Sequence, residues 1–189
     1  YSLYNNGTIT TLTNAGTISA TNNSSLYNTG TITTITNSST ISATDDLGLY
    51  NSGTITTLTN SGTISAGDDN GISNAGTITT LTNSSTGTIS AADLYGIWNT
   101  DTITTLTNSG TISAGDDYGI GNYGGTITTL TNSGTISAGR DGGIWNTNSG
   151  TITTLTNSGT ISAADDYAIY NQSGTITTIT NTGTLSAGT

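Results

Sequence analysis

Apolar residues recur along the chain at spacings that indicate short strands. In residues 54–76 they are Ile55, Leu58, Ile64 and Ile72, separated by polar residues, Gly and Asn. An amphipathic helix needs apolar steps of three and four residues sustained over several turns, and this segment does not provide them. The Thr and Ile residues of this segment favour strands. We therefore predict short strands separated by corners.

The alternation of strand side chains predicts which residues face the core. Successive residues point to opposite faces, so Ile55 points inward while Thr54 and Thr56 point outward. Leu58 would point outward if this alternation continued. We therefore predict a bend near Thr56 and Thr57, after which Leu58 again faces inward between two outward threonines.

One block, Thr-Ile-Thr-Thr-Leu/Ile-Thr-Asn, repeats along the whole chain. Its successive starts lie 23 to 25 residues apart, a period typical of stacked solenoid repeats. We predict an all-β fold, a parallel β-helix (β-solenoid) of about eight coils of 23–25 residues. Residues 1–189 form a single repeat segment, which we expect to be a fragment of a longer repeat protein because neither end carries a polar cap. The block begins at Thr8, Thr31, Thr54, Thr77, Thr102, Thr126, Thr151 and Thr175.

Stacking the coils about 4.8 Å apart turns each repeat position into a column. Columns of Ile and Leu form the core, and each is buried only by the neighbouring coils. Two further columns contain Asn alone. We predict that they are ladders at corners, because the Asn amide can pair with the coils above and below and Asn tolerates a left-handed backbone. These columns are Asn14, Asn37, Asn60, Asn83, Asn108, Asn132, Asn157 and Asn181, and Asn5, Asn28, Asn51, Asn74, Asn99, Asn122, Asn146 and Asn171.

The composition excludes several classes of function. The formal net charge is −10, from 11 acidic residues and one cation, Arg140, so the chain lacks the Lys/Arg clusters that bind nucleic acid. It contains no His or Cys, and no Ser has a basic partner for nucleophilic catalysis. We therefore expect no enzymatic activity and no cofactor. No apolar run approaches the roughly 20 residues of a membrane helix, so we expect no membrane insertion of this segment.

Outward threonines form the first candidate site. Thr occupies the outward positions on both sides of the inward Ile in every coil. This predicts an uncharged grid with spacings of about 6.7 Å along the strand and about 4.8 Å between coils. The grid resembles the ice-binding face of Thr-x-Thr β-solenoid antifreeze proteins, which implies adsorption to ice. The alternative is structural, because Thr is a good polar strand former and stacked Thr residues hydrogen-bond one another. The array comprises Thr8, Thr10, Thr31, Thr33, Thr54, Thr56, Thr77, Thr79, Thr102, Thr104, Thr126, Thr128, Thr151, Thr153, Thr175 and Thr177.

Aspartates gather at one corner of the predicted coils, where we expect carboxylates about 4.8 Å apart to repel each other. Calcium favours several carboxylate oxygens and could relieve this repulsion. The glycine-rich calcium-roll signature is absent, so we assign no metal. A calcium edge remains the alternative to a solvated acidic edge that prevents lateral aggregation. The candidate residues are Asp45, Asp68, Asp116 and Asp165. Arg140 replaces one Asp of this column, and we expect it to pair with its neighbours.

A column of aromatic residues directly follows the inward Ile or Leu of each coil, so we expect it to face outward. It could bind sugars or another chain, or it could be a self-stacked ladder at a corner. Its members are Tyr4, Tyr27, Tyr50, Trp98, Trp145 and Tyr170, interrupted by Ser73 and Gly121.

Two recurring phrases carry a family resemblance over nearly the whole chain. Asn-Ser-Gly-Thr-Ile-Ser-Ala, as at residues 60–66 and 157–163, and Ala-Ile-Tyr-Asn-Gln-Ser-Gly-Thr-Ile, at 168–176, resemble repeats of bacterial autotransporter passengers and large surface adhesins. The resemblance implies a right-handed parallel β-helix that is extracellular or on the cell surface and acts as a stalk, adhesin or fibre element. The expected partners are self-stacking copies or other surface components, with ice or glycans as alternatives. The leading hypothesis is a non-enzymatic extracellular scaffold, and the alternative is an ice-binding protein.

Overall fold

The structure is a computed structural model that describes residues 1–188, which form twenty-four strands and no helix. Each coil contributes three strands in succession. The first four coils contain β1 (Leu3–Asn5), β2 (Thr8–Asn14), β3 (Thr17–Ala20), β4 (Leu26–Asn28), β5 (Thr31–Asn37), β6 (Thr40–Ala43), β7 (Leu49–Asn51), β8 (Thr54–Asn60), β9 (Thr63–Ala66), β10 (Ile72–Asn74), β11 (Thr77–Asn83) and β12 (Thr88–Ala91). The last four contain β13 (Ile97–Asn99), β14 (Thr102–Asn108), β15 (Thr111–Ala114), β16 (Tyr118–Tyr123), β17 (Thr126–Asn132), β18 (Thr135–Ala138), β19 (Gly142–Thr147), β20 (Thr151–Asn157), β21 (Thr160–Ala163), β22 (Tyr167–Gln172), β23 (Thr175–Asn181) and β24 (Thr184–Ser186).

Equivalent strands of successive coils pair side by side, in parallel and in register. The first strand of every coil joins sheet A, the second joins sheet B and the third joins sheet C, so that each sheet has eight strands in coil order. In sheet B, for example, Ile55 pairs with Ile78 and Leu58 with Leu81. The predicted all-β parallel solenoid of about eight coils is therefore confirmed.

Sheet B bends at the residue where the sequence alternation fails. Thr56 is skipped in the ladder with the strands on either side, although Ile55 and Thr57 next to it are paired. The skipped residue shifts the alternation, so that Leu58 returns to the core and is fully buried. The bend predicted from the spacing of Ile55 and Leu58 is confirmed.

Four columns of Ile and Leu fill the interior of the rod. The neighbouring coils provide their burial: Ile179 of the last coil is 50% exposed, whereas Leu155, one coil earlier in the same column, is 0% exposed. Burial of one such side chain contributes about 1.5–3 kcal/mol. Each coil therefore depends on its neighbours for much of its stability, as expected of a solenoid.

Both Asn columns run along the rod as hydrogen-bonded ladders. At the end of sheet B, the Nδ2 group of Asn83 donates to Oδ1 of Asn108 at 2.8 Å, and Asn108 donates in the same way to Asn132 at 2.8 Å. Asn108 also donates to the carbonyl oxygen of Thr135 at 2.9 Å. Successive amides donate in one direction, towards the C-terminal coils, so the aligned hydrogen bonds can strengthen one another.

The backbone of these Asn residues is not left-handed. Among residues 1–188, the non-Gly residues with positive φ are Asn148, Ser149 and Ser173, which lie outside both columns. The expectation that left-handed conformations help to select Asn at these corners is therefore wrong. Amide pairing between buried side chains accounts for the two columns.

Sheet A changes along the rod. Its strands contain three residues in the first five coils, and β16, β19 and β22 contain six. The longer strands are followed by corner residues with positive φ, which include Gly124, Asn148 and Ser173, and Thr147 forms an antiparallel bridge to Ser173. The residues inserted in these coils lie at the corner, so the stacked strands keep their register.

Candidate functional site

The predicted threonine array lies on the outer face of sheet B, but its two columns differ. In the inner coils, Thr54 and its equivalents are half-buried and paired with the strands on either side. Thr56 and its equivalents are exposed and sit at the bend, where the ladder skips them. One column of the array is therefore part of the regular sheet, and the other lies at the bend.

A second threonine surface, directly after the bend, is more regular. In the inner coils, Thr57 and Thr59 and their equivalents flank a buried Leu or Ile, are half-buried, and pair in register with both neighbouring strands. We call these two columns the post-bend threonine surface. It consists of Thr11, Thr13, Thr34, Thr36, Thr57, Thr59, Thr80, Thr82, Thr105, Thr107, Thr129, Thr131, Thr154, Thr156, Thr178 and Thr180. Both surfaces consist of Thr in every coil, so only the pairing between strands shows which surface is continuous.

The four aspartates of the alternative calcium edge lie at the corner that follows sheet C. Their residues are all exposed: Asp45, Asp68, Asp116 and Asp165. Within residues 1–188, no three acidic, His or Cys side chains form a group that could hold a metal ion. Their exposure leaves these four carboxylates in contact with solvent at this corner.

Arg140 pairs with the acidic residues around it, as the sequence predicts. Its Nη1 atom lies 3.5 Å from Oδ2 of Asp116, and its Nε atom lies 3.9 Å from Oδ1 of Asp141. The side chains of Arg140 and Asp116 are 59% and 53% exposed. Exposed ion pairs of this kind contribute little to stability, so the pair mainly tempers local repulsion.

Aromatic residues on the side of sheet A form separate groups rather than one ladder. Tyr4, Tyr27 and Tyr50 of the predicted column stack near the N-terminal end. Farther along, Trp98 and Trp145 approach each other across Gly121, with ring centroids 6.3 Å apart. Gly121 therefore does not separate the two tryptophans, and the column continues across it.

Three tyrosines outside the predicted column join the two tryptophans. Tyr95 lies 4.4 Å from Trp98, Tyr118 lies 5.2 Å from Trp145, and Tyr123 lies 5.3 Å from Trp98, measured between ring centroids. We call these five residues the aromatic patch. It contains both tryptophans of the chain. The sequence signal that could have found it is the concentration of rare residues in coils five to seven.

Strict alternation gave no reason to place Tyr118 beside the tryptophans. Tyr118 lies two residues before the inward Ile120, so alternation alone would turn both side chains to the same face. The ladder between β16 and β19 skips Gly119, pairing Tyr118 with Gly142 and Ile120 with Ile144. As at the bend of sheet B, the skipped residue changes the phase, and that change is not visible in residue types.

Glycines provide the space that the aromatic rings occupy. A Cβ atom at Gly121 would lie 2.7 Å from a ring carbon of Trp98 and 2.8 Å from one of Tyr95. At Gly142, a Cβ atom would lie 2.6 Å from a ring carbon of Tyr118. The rings of one coil therefore cover glycine backbone of the next coil. Tyr118 is consequently 8% exposed, whereas Tyr123 is 41% exposed.

Carboxylates border the aromatic patch and contribute to the raised pKa values of two of its tyrosines. Burial, followed by the negative charge of Asp141 and Asp166, raises the pKa of Tyr118 to about 12. Burial and the nearby charge of Asp117 raise the pKa of Tyr95. The pKa of Asp117 is itself raised, first by burial and then by the charge of Asp141. The patch thus combines apolar ring surface with a negative potential.

The three sheets, the apolar columns and the Asn ladders define this chain as a parallel β-solenoid. Comparison with protein-family models, curated proteins and solved structures found no match. No helix in residues 1–188 is long and apolar enough to cross a membrane.

Proposed function

We propose that this chain is a non-enzymatic β-solenoid scaffold, a rod that serves as a stalk, adhesin or fibre element of an exported protein. The observation that carries the proposal is the unbroken register of all three sheets through eight coils. Each inner coil buries its core and pairs its Asn amides against its neighbours. A rod of this construction can change length by whole coils without changing its cross-section.

Deletion of one whole coil tests the scaffold. Removal of residues 54–76 takes out β8, β9 and β10 and joins Gly53 to Thr77, which preserves every column. We expect a folded rod that is shorter by about 4.8 Å, measured by small-angle X-ray scattering. The matched control removes residues 54–62, which deletes β8 but keeps β9 and β10. Equal tolerance of both deletions would contradict a rod built from interchangeable coils.

The exported location is supported by the resemblance of the Asn-Ser-Gly-Thr-Ile phrases to surface-protein repeats. A net charge of −10 also favours solubility of an extended rod. Protease treatment of intact source cells, followed by detection with an antibody, tests this location. We expect digestion without cell lysis. Protection in intact cells together with recovery from the cytoplasmic fraction would contradict an exported scaffold.

Ice binding is the second candidate function, favoured by the post-bend threonine surface. Its two columns are uncharged and remain in register through the eight coils, which gives a regular array of hydroxyl and methyl groups. This surface fits an ordered template better than the Thr54–Thr56 columns, because Thr56 lies at the bend.

Thermal hysteresis measurements test ice binding and its location together. Thr82→Tyr would interrupt the post-bend surface, and Thr79→Tyr, in the same strand β11, is the matched control at the bend. We expect Thr82→Tyr to remove most of the hysteresis and Thr79→Tyr to leave most of it. Absence of hysteresis and of ice shaping in the parent protein would eliminate this candidate.

A further inference from the structure

The aromatic patch collects residues that are rare elsewhere in the chain. The sequence has two Trp residues and one cation, Arg140, and all three lie in or beside the patch. The repeat itself does not require them, since Ser73 and Gly121 occupy the same column as Trp98 and Trp145. Departures from a repeat that gather at one place indicate a local role beyond the support of the fold.

The arrangement of the patch leaves ring surface available to a ligand. Trp98, Trp145 and Tyr95 are half-buried, and Tyr123, which lies beside both indole rings, is 41% exposed. The ring of Tyr123 stacks on Trp98 and is tilted by 59° to Trp145. No pocket opens on the described surface, so a ligand would lie on these rings rather than inside a cavity.

Polar side chains lie beside the aromatic rings, so the surface offers a ligand both ring contacts and hydrogen bonds. Asp117 is close enough to Tyr95 for its charge to raise the pKa of the tyrosine, and Arg140 lies 3.9 Å from Asp141. Binding sites commonly combine aromatic surface with a few polar groups that fix the ligand's orientation. The carboxylates disfavour an anionic ligand, because like charges repel.

We propose that the aromatic patch binds an uncharged oligosaccharide. Apolar C–H faces of the sugar rings would lie on Tyr123 and the neighbouring indoles, whose ring faces carry partial negative charge. Sugar hydroxyl groups would donate to the carboxylates and accept from the guanidinium group of Arg140. This inference goes beyond the scaffold function and does not depend on export, since the purified chain suffices to test it.

Tryptophan fluorescence reports directly on the patch, because both tryptophans of the chain belong to it. Cellotetraose, chitotetraose and maltotetraose are titrated separately into the purified protein, and emission is followed. We expect a saturable change with at least one of these three probes. The absence of a saturable change with all three would overturn the proposal.

Substitutions taken from other coils keep the fold while changing the patch. Tyr123→Thr introduces the residue that Thr147 provides at the paired position of the next coil, and it leaves both fluorescent reporters in place. Loss of one stacking ring should weaken sugar binding about tenfold. Tyr50→Ser is the matched control: it copies Ser73 of the same column and changes the separate N-terminal stack.

Both variants should retain the circular dichroism spectrum of the parent, and Tyr50→Ser should retain its affinity. Equal weakening by the two substitutions would contradict a specific site at the patch. Sedimentation equilibrium supplies a further check. Self-association that Tyr123→Thr abolishes and that saturating sugar leaves unchanged would assign the patch to a second copy of the chain and overturn the proposal.

Discussion

Sheets A and B show how one solenoid can carry both constant and variable surfaces. Every strand of sheet B has Thr at the same outward positions, and its inward positions are Ile, Leu or Asn. Sheet A keeps its inward Ile or Leu and its Asn, but its outward residue changes between Tyr, Trp, Ser and Gly. The inward positions are therefore equally constrained in both sheets, and only the outer face of sheet A varies.

This comparison separates the requirements of the fold from the opportunities for binding. Inward side chains must match the coils above and below, because the neighbours supply their burial and their hydrogen bonds. Outward side chains are constrained by the neighbouring coils only where rings or hydroxyl groups of successive coils stack. Sheet A uses the remaining freedom for the aromatic patch, in which rings of one coil lie over glycines of the next.

The largest expected effect is loss of an Asn ladder residue, which should be equally severe in either sheet. Asn108 in sheet B and Asn99 in sheet A are fully buried, and each accepts from the preceding ladder amide at 2.8 Å. Replacement by Ala leaves buried donors and acceptors unpaired, at a cost of about 1–3 kcal/mol for each unpaired group. Urea unfolding measures the two losses.

A control for the ladder substitutions is Ser109→Ala, which changes an exposed residue next to Asn108 and should alter stability by about 0.5 kcal/mol or less. A small effect of Asn99→Ala beside a large effect of Asn108→Ala would show that sheet A tolerates change at inward positions as well. The proposed contrast between inner and outer faces would then fail.

The next largest effect should come from filling the space below the aromatic rings. In Gly121→Ala, the new Cβ atom would lie 2.7–2.9 Å from ring atoms of Trp98 and Tyr95. Overpacking of this kind typically costs about 1–3 kcal/mol. We expect lower stability and a shift in tryptophan emission, because the indole ring must move.

Ser73→Ala is the matched control for Gly121→Ala. Ser73 occupies the same column as Gly121, but its position is not a glycine covered by aromatic rings. It already carries a Cβ atom, so we expect little change in stability or emission. Unchanged emission in Gly121→Ala would contradict the close packing of the rings over this glycine.

Much of the fold could be predicted from the sequence because the repeat imposes the same constraints eight times. The spacing of Ile55 and Leu58 was sufficient to predict the bend, and the unvarying Asn positions were sufficient to predict the ladders. The backbone conformation of the Asn residues was not predictable in this way. Asn is compatible with both left-handed and extended backbone, and residue type alone does not choose between them.

The candidate sites were less predictable, because they depend on phase changes and on contacts between coils. Residue types at the two Thr surfaces are alike, and the skipped pairing at Thr56 distinguishes them only in the structure. The aromatic column was visible, but the approach of Tyr118 to Trp145 depends on the skipped Gly119 and on the space above Gly142. Those effects arise from the stacking of different coils.

A smaller effect should appear in alkali and should again be specific to the variable face. Tyr118 has a pKa of about 12 in the folded state, above its ordinary value of 10.0. The folded state therefore holds the proton more tightly than the unfolded state, so this contribution to stability is complete below pH 10.0 and is lost as pH rises towards about 12. Urea unfolding on both sides of pH 10.0 measures the decline.

Tyr118→Phe should lack this part of the alkaline decline, because Phe has no ionisable hydroxyl group. The comparison must be made between slopes with pH, since the substitution can also change stability at neutral pH. Identical slopes in the parent and the variant would show that Tyr118 does not contribute to the pH dependence of folding.

The smallest expected effect is loss of the one Arg side chain at the edge of the variable face. Arg140→Gln removes the ion pair with Asp116, in which both side chains are more than half exposed. Water screens such a pair, so we expect a stability loss of about 0.5 kcal/mol or less. Added salt should shrink even this difference, because it screens the interactions of exposed charges. Thermal unfolding at low and high salt measures it, and Asp45→Asn in the same acidic corner is the control for a change of charge away from Arg140. A loss as large as that of a ladder Asn would mean that a surface charge, and not only inward packing, holds adjacent coils together.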